Sequence, residues 1–256
     1  MSDMGLIEMF QRIVRHHSFV AVRRDCRRAA GRAAATVALL CLLLAMGGCG
    51  TKQKVAIPHP EPVDAPLPAP VDPMADAAGR IRVWHTLMQE KLAASPFEKL
   101  ESVNRFFNQL QFLDDLSLWG KEDYWATPTE MLVSNGGDCE DFATAKYFTL
   151  RRLDIPDEQL RLTYVKSLKL NKPHMVLSYY AKPDSDPLVL DSDKNYIQAA
   201  TERRDLLPVY SFNAQGLWLN KQRQEVRIGG SEQLSLWQDL QQRWLREAVA
   251  GSRPTQ

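Results

Sequence analysis

The chain has 256 residues, 45% of them hydrophobic, and a formal net charge of +1. Its length allows one domain of ordinary size with appendages. Residues 1–49 hold seven Lys and Arg against three Asp and Glu, which leaves 25 against 28 for the remainder. A mildly acidic remainder excludes the broad basic surface that nucleic-acid binding requires.

Residues 1–49 have the pattern of an export signal. Five arginines between positions 23 and 32 precede an apolar stretch from Ala33 to Met46, which is too short for a membrane-spanning helix and ends in small residues. Cys49 follows two glycines and resembles a bacterial lipoprotein processing site. Lipidation of Cys49 and plain cleavage near it both remain open, with a signal anchor as a further alternative.

The cysteine count leaves one thiol in the folded part of the chain. Cys26 and Cys41 leave with the signal, and Cys49 is either lost or lipidated, so only Cys139 remains. It has no cysteine partner for an internal disulfide. A lone thiol in an exported protein is either buried and inert or retained for its chemistry.

Residues 50–76 contain seven prolines and few large apolar side chains. This composition favours an extended backbone and predicts a tether. Both a spacer function and a leader without a role are compatible with it. The folded domain is predicted to span residues 77–250.

Two amphipathic helices are predicted at the start of this domain. The second has a capping-box pattern in Ser95 and Glu98, with Pro96 at its first helical position. The spacing predicts these inner faces: Ile81, Trp84, Met88 and Leu92 in the first helix, and Leu100, Val103, Phe107 and Leu110 in the second. After an irregular segment, a third helix is predicted to begin at residues 137–138, with Cys139 in its first turn.

The second half of the domain is predicted to form strands. Segments rich in β-branched and aromatic residues alternate with turn formers: LRLTYVKSL, HMVLSYY, PLVLDS, PVYSFN, LWLN and QEVRIGG. A C-terminal helix follows, with Ser231 as its cap and Trp237, Leu240, Trp244 and Ala248 on one face. Helices followed by an antiparallel sheet indicate an α+β domain.

The residue types needed for a cysteine nucleophile occur in this arrangement. A nucleophilic thiol needs a base, and the base needs an acceptor that orients it. Of the five histidines, His174 is the best placed, because it opens a predicted strand, and the next strand ends at Asp191. A hairpin would bring these two side by side. Taken singly, each residue has an ordinary structural explanation: Cys139 as a small core residue, His174 as a strand residue and Asp191 as a turn acid.

The sequence segments around these residues resemble those of a known family. The segments YWATPTEMLVSNGGDCEDFATAKYFTLRRL, HMVLSYY, PLVLDS and PVYSFNAQGLWL are similar to the bacterial transglutaminase-like cysteine proteinases, the LapG-type periplasmic proteases. The resemblance covers roughly residues 75–225. It implies a papain-like or transglutaminase-like α+β core whose Cys-His-Asp triad would be Cys139, His174 and Asp191.

The resemblance also implies a biological role. Members of this family cleave a large surface adhesin near its N-terminus, commonly at an Ala-Ala site, which releases the adhesin and promotes biofilm dispersal. They are typically calcium-dependent. Their inhibitor is the periplasmic domain of an inner-membrane cyclic-di-GMP receptor. For this chain we therefore expect a periplasmic location, with Cys49 as a candidate lipid anchor.

Calcium would account for the acidic residues around the thiol. The carboxylates of Asp138 and Glu140 flank Cys139 and oppose its ionisation, whereas a bound divalent cation reverses the local field. The predicted ligands are Asp138, Glu140 and Asp141, with Asp114 and Asp115 as further donors, because Ca²⁺ takes about six to eight oxygens. Acids in the first turn of a helix also complement its dipole without any metal.

Two other functions remain open at this point. Exported papain-like folds also act on the cell wall, which gives a peptidoglycan amidase or endopeptidase as one alternative. The other is a calcium-gated binding protein whose triad is inactive. For the protease, the backbone N–H of Cys139 is the expected oxyanion donor, with the indole of Trp125 as a second candidate.

Overall fold

The computed structural model describes residues 72–221 and 224–251. The predicted export signal of residues 1–49, including Cys49, and residues 50–71 of the predicted tether lie outside the described residues. Among the helices of the described ranges, none is long and apolar enough to cross a lipid bilayer.

The elements follow the order that the sequence predicts, with helices first and strands afterwards. The helices are α1 (Ala77–Lys91), α2 (Pro96–Phe107), α3 (Asp115–Trp119), α4 (Pro128–Ser134), α5 (Cys139–Arg152) and α6 (Ser235–Gly251). The strands are β1 (Gln111–Phe112), β2 (Gly136–Gly137), β3 (Leu160–Ser167), β4 (Lys172–Tyr179), β5 (Leu188–Asp191), β6 (Lys194–Ala199), β7 (Leu206–Phe212), β8 (Leu217–Lys221) and β9 (Gln224–Gly229). Short 3₁₀ helices cover Asp157–Gln159, Ala200–Glu202 and Ser231–Gln233.

Seven of the strands form one antiparallel sheet in the order β6-β5-β4-β3-β7-β8-β9. The short strands β1 and β2 pair in parallel in a separate ribbon. The predicted α+β class, with N-terminal helices on an antiparallel sheet, is confirmed. The sequence patterns did not reveal β6, whose side chains are partly or fully exposed and carry little periodic apolar signal.

Helix α5 is the central element of the core. Every residue from Asp141 to Leu150 is buried, because the helix packs on β4 and is covered by α2 and α4. A helix enclosed in this way shows no single apolar stripe. Its position brings its first residue, Cys139, to the sheet.

The predicted second helix is confirmed in detail. The Ser95 and Glu98 side chains form both hydrogen bonds of the capping box, and the predicted inner face is buried. In the first helix, Trp84 is buried, but Leu92 lies beyond the helix end and is 49% exposed, so its assignment to the core face was wrong.

The C-terminal helix starts later than predicted. Ser231 opens a 3₁₀ turn instead of capping α6, which begins at Ser235. The predicted core contact is present, because Trp237 is fully buried and its ring stacks on Phe148 at 5.5 Å. The helix therefore closes the aromatic core around the second half of α5.

Candidate active site

Cys139 is the first residue of α5, and its position is fixed by the glycines before it. Gly136 and Gly137 form β2 and pair with Gln111 and Phe112. A Cβ atom on Gly136 would overlap the backbone oxygen of Gln111, and one on Gly137 would overlap the Asp141 carboxylate. The two glycines thus allow the chain to enter the helix at a point where a side chain has no room.

The thiol of Cys139 is held in an environment that keeps it protonated. Its Sγ donates a hydrogen bond of 3.0 Å to Oε2 of Glu140. Burial raises the pKa of the Cys139 thiol well above its ordinary value, and the negative charges of Glu140 and Asp138 add to this, while a hydrogen bond from the Met175 backbone acts in the opposite direction. The thiol needs a change in this field before it can ionise.

His174 and Asp191 form a buried pair on the neighbouring strands β4 and β5. The strands pair from Leu177 opposite Leu190, and this register places His174 diagonally from Asp191 on the same face of the sheet. His174 Nε2 lies 2.7 Å from Asp191 Oδ1, and the two residues are 4% and 1% exposed. Asp191 therefore fixes the orientation of the imidazole through Nε2, which is the role of an orienting acceptor.

The carboxyl group of Asp191 is held in its ionised form. Burial raises the pKa of Asp191, but the hydrogen bonds and charge of His174, the Asp193 N–H and Arg203 together outweigh burial and lower that pKa well below its ordinary value. The backbone oxygen of Asp191 also accepts a hydrogen bond of 2.9 Å from Nδ2 of Asn108, which caps the end of α2. The pair thus consists of an anion with fixed orientation and a ring that it can stabilise as a cation.

Arg203 is a residue of this site that sequence reasoning missed. Its Nη2 donates to Asp191 Oδ2 at 2.7 Å, and its Nε and Nη2 donate to the two oxygens of Asp205 at 2.9 and 2.8 Å. Arg203 is 4% exposed, whereas the adjacent Arg204 is exposed. No local sequence pattern distinguishes the two arginines. Arg203 directly follows the 3₁₀ turn Ala200–Glu202, and its side chain is buried.

The backbone of β4 connects the thiol to the His174–Asp191 pair. Met175, whose backbone hydrogen bond reaches the Cys139 sulfur, directly follows His174. Strand β5 pairs with β4 only from Leu177 onward, so the β4 backbone at His174 and Met175 is left for the start of α5. In the described part of the chain, the hydrogen bond that the thiol donates goes to Glu140 rather than to His174.

Acidic side chains gather on the other side of the thiol. Oxygen atoms of Asp115, Asp138 and Asp141 lie within 4.8 Å of one another, and the same holds for Asp115, Asp123 and Glu140. These five carboxylates are called the acid cluster below. Three of its members were predicted from the GGDCED segment and Asp115 from the preceding loop, whereas Asp123 was missed.

The acid cluster has the donors that a hard cation needs. Asp115 Oδ1 and Asp138 Oδ1 are buried and have no hydrogen-bond partner among the described residues. Burial and the neighbouring acids raise the pKa of Asp115 to about 7, and they raise the pKa of Asp138 and of Asp141 well above the ordinary value. Mutually repelling carboxylates with unpaired buried oxygens fit Ca²⁺, which prefers oxygen ligands.

Two of the predicted residues have other roles in the structure. Asp114 does not join the acid cluster, because its carboxylate caps α3 by accepting from the backbone N–H and the hydroxyl of Ser117 at 3.0 and 2.8 Å. The indole N–H of Trp125 donates to Asp123 Oδ1 at 3.0 Å. It is thus used within the acid cluster and is not free to bind an oxyanion in this arrangement.

Comparisons with known proteins give a family match. The family model described as bacterial transglutaminase-like cysteine proteinase matches residues 82–224. A comparison with the curated proteins gives no match.

Solved structures of LapG from Legionella pneumophila are similar to the chain. An EGTA-treated form is 48% identical and covers 65% of this chain and 89% of its own, with a TM-score of 0.59. A calcium-bound form is 47% identical and covers 66% and 91%, also with a TM-score of 0.59.

Proposed function

Since the chain belongs to the bacterial transglutaminase-like cysteine proteinase family, we propose that it is a calcium-dependent periplasmic endopeptidase that cleaves a large cell-surface adhesin near its N-terminus. The observation that carries this proposal is the buried His174–Asp191 pair. The residue after His174, Met175, makes a backbone hydrogen bond to the Cys139 sulfur. A thiol, an imidazole and an orienting carboxylate are the groups that acyl transfer requires.

The imidazole nitrogens have separate roles in the proposed reaction. Nε2 of neutral His174 carries the proton that is donated to Asp191, so Nδ1 is the nitrogen that accepts the thiol proton. The resulting imidazolium is stabilised by the ionised Asp191. Cys139 sulfur then attacks the scissile carbonyl carbon, and His174 returns the proton to the departing amine.

Hydrolysis of the acyl-enzyme completes the cycle. His174 Nδ1 removes a proton from water as the water oxygen bonds to the carbonyl carbon. The bond between that carbon and the Cys139 sulfur then breaks, and His174 returns the proton to the sulfur. The backbone N–H of Cys139 belongs to the first turn of α5, where donors have no intrahelical acceptor, and it is the proposed donor to the developing oxyanion.

The acid cluster is the proposed calcium site. Asp115, Asp123, Asp138, Glu140 and Asp141 would hold the ion, and the calcium-bound form of the Legionella protein supports this. When bound, the cation supplies positive charge that offsets the carboxylates facing the thiol. Glu140, which accepts the thiol hydrogen bond, connects the acid cluster to the nucleophile.

The proposed setting is the periplasm. It is supported by the export-signal pattern of residues 1–49, and Cys49 is the proposed anchor if the protein is lipidated. The family also supports an inhibitor, the periplasmic domain of an inner-membrane cyclic-di-GMP receptor, so that release of the adhesin and biofilm dispersal follow from relief of inhibition.

Cleavage of an adhesin fragment tests the proposal. The mature protein is incubated with the N-terminal region of a large adhesin from the same cell, in calcium and in EGTA, beside Cys139→Ala. We expect one cut with calcium and none with EGTA or with the variant. Absence of cleavage by every form would leave a binding protein, and activity on muropeptides alone would indicate a cell-wall enzyme.

A further inference from the structure

A cavity of about 490 Å³ lies at the ends of strands β3 and β4. We call it the hairpin pocket, and its walls include Tyr164, Lys166, Lys172, Pro173 and Val209. None of the residues that line it is acidic. It is outside the triad and outside the acid cluster.

The hairpin pocket adjoins the nucleophile. Tyr164 pairs across the strands with Met175, whose backbone contacts the Cys139 sulfur. Burial raises the pKa of Tyr164 to about 12, and the charges of Cys139 and Glu140 contribute, so the phenol lies within electrostatic reach of the thiol. The pocket wall at Tyr164 therefore lies close to the surroundings of the thiol.

The pocket has apolar walls and a basic mouth. Tyr164, Pro173 and Val209 are partly buried, whereas Lys166 and Lys172 are exposed. Alternation along the strands places Lys166 on the same face as Tyr164, and Pro173 pairs directly with Lys166. Lys172 pairs with Ser167 and by the same alternation lies on the opposite face, so the two lysines border the cavity at the end of the hairpin from its two faces.

Lys172 also reaches toward the segment that carries the nucleophile. Its Nζ lies 5.6 Å from the ring centre of Phe112, which pairs with Gly137 two residues before Cys139. Phe112 is 52% exposed and stacks on Phe142 of α5. The site thus has opposite charges on its two sides, with the acid cluster around Cys139 and lysines along the β3–β4 hairpin.

We propose that the hairpin pocket is a substrate subsite that seats an apolar side chain of the bound polypeptide next to an Asp or Glu residue. The carboxylate of that residue pairs with Lys166, and Lys172 adds positive charge at the end of the hairpin. Such a pair at a rim contributes mainly to selection among substrates, because partners of the opposite charge are repelled. This inference rests on the proposed protease function and adds the sequence preference that the cleft imposes.

A peptide library tests the preference. The mature protein with calcium is incubated with a mixture of synthetic decapeptides, and the products are sequenced by mass spectrometry. We expect an acidic residue to be enriched at a fixed distance from the cleaved bond, with an apolar residue beside it. Cleavage without an acidic preference would overturn the inference and leave the protease function intact, and so would no peptide cleavage by a preparation that still cuts the adhesin fragment. Cleavage of neither the peptides nor the adhesin fragment would remove both.

Charge reversal provides the matched test. In Lys166→Glu/Lys172→Glu, the ratio of kcat/KM for an acidic peptide to that for its lysine-substituted counterpart should fall by roughly tenfold or more, because each attraction becomes a repulsion. Lys182→Glu, an exposed lysine in the turn after β4, is the control and should leave the ratio unchanged. An unchanged ratio in the double variant, with a neutral peptide still cleaved, would refute the subsite.

A second variant tests the apolar part without changing charge. Val209→Phe adds volume at the pocket wall, so the residue beside the acidic one should become smaller among the cleaved peptides. The acidic preference should persist in this variant. Unchanged size selection would show that the cavity does not receive a substrate side chain.

Discussion

Arg203 and Asp191 form a buried ion pair in which Nη2 lies 2.7 Å from Oδ2. Asp191 uses its other oxygen, Oδ1, for His174. The guanidinium therefore fixes the rotation of the carboxylate that orients the imidazole. Because Arg203 is itself held by Asp205, the arrangement is a chain of four side chains that ends at the proposed base.

Replacement of Arg203 should weaken both catalysis and folding. In Arg203→Gln the kcat/KM is expected to fall by about 10- to 100-fold, the range for residues that orient a functional histidine through its partner. Removal of one member of a buried ion pair should also lower the free energy of unfolding by about 3 kcal/mol, because Asp191 keeps a buried charge without its partner. Steady-state kinetics and urea denaturation measure the two effects.

The matched control for this change is Arg204→Gln, since Arg204 is exposed and adjacent. Arg203→Lys, which keeps the charge but not the planar fork, should lie between the wild type and Arg203→Gln. Because the pKa of Asp191 is lowered in the folded state, its ionised carboxylate stabilises the fold at pH values above the ordinary aspartate pKa. This stabilisation is lost as the pH falls through the folded-state pKa. Acid unfolding of Arg203→Gln should therefore begin at a higher pH; an unchanged acid midpoint would contradict the role assigned to Arg203.

The acid cluster predicts which aspartates bind calcium. Asp115→Asn should lower the calcium affinity by about tenfold or more, because it removes one charged ligand from a site of five carboxylates. Asp114→Asn is the matched control, since Asp114 is the adjacent acid and its carboxylate caps α3 instead. Titration calorimetry with calcium alone measures both, and equal losses in the two variants would contradict the assignment.

Without calcium, the stability of the protein should fall as the pH rises from 5 to 7. Burial raises the pKa of Asp115 to about 7, so the folded state binds more protons than the unfolded state in this range. The stabilising protonation is complete below the ordinary aspartate pKa and is lost as the pH rises through 7. Urea denaturation in EGTA measures this slope.

Calcium provides the comparison for that slope. A bound cation stabilises the ionised carboxylates, so the decline between pH 5 and 7 should become smaller when calcium is present. Asp115→Asn should likewise reduce the decline in EGTA, because the titrating group is gone. Equal slopes for the wild type with and without calcium would argue against a cation site at the acid cluster.

The sequence predicted the parts of the site that depend on local signals. Cys139 could be placed at a helix start because Gly-Gly-Asp precedes it, and the hairpin of β4 and β5 placed His174 near Asp191. In both cases the position along one element or one register determines the neighbour. Neighbours of this kind can be predicted without knowledge of how the rest of the chain packs.

The sequence could not predict residues that only the tertiary packing brings in. Asp123 joins the acid cluster from the loop between α3 and α4, where no periodicity exists. Asp114 and Asp115 are neighbours, yet Asp114 caps α3 and Asp115 turns inward to accept from the Tyr124 N–H at 2.6 Å. Helix α3 is too short to show an apolar periodicity, so the sequence does not indicate that the two side chains point in different directions.

Lys146 allows a test of how a buried cation affects stability, because it lies in the middle of α5, the helix that begins at Cys139. The residue is 0% exposed, and its Nζ has no hydrogen-bond partner among the described residues. Burial lowers the pKa of Lys146 to about 7, and the charges of Asp191 and Asp193 only partly offset it. Lys146→Met, of similar length, should therefore raise the free energy of unfolding at pH 7 by several kcal/mol, since one pKa unit corresponds to about 1.4 kcal/mol and the pKa is lowered by more than three such units.

The pH dependence separates this electrostatic effect from simple packing. Between pH 7 and the ordinary lysine pKa the unfolded chain binds more protons at Lys146 than the folded chain does, so the wild type gains stability as the pH rises. The advantage of Lys146→Met should be largest near pH 7 and should shrink toward pH 10. Lys146→Gln is the polar comparison and should gain less, because a buried amide without partners is itself unfavourable. A constant advantage of Lys146→Met at all pH values would mean that shape, not charge, limits the stability of α5 at this position.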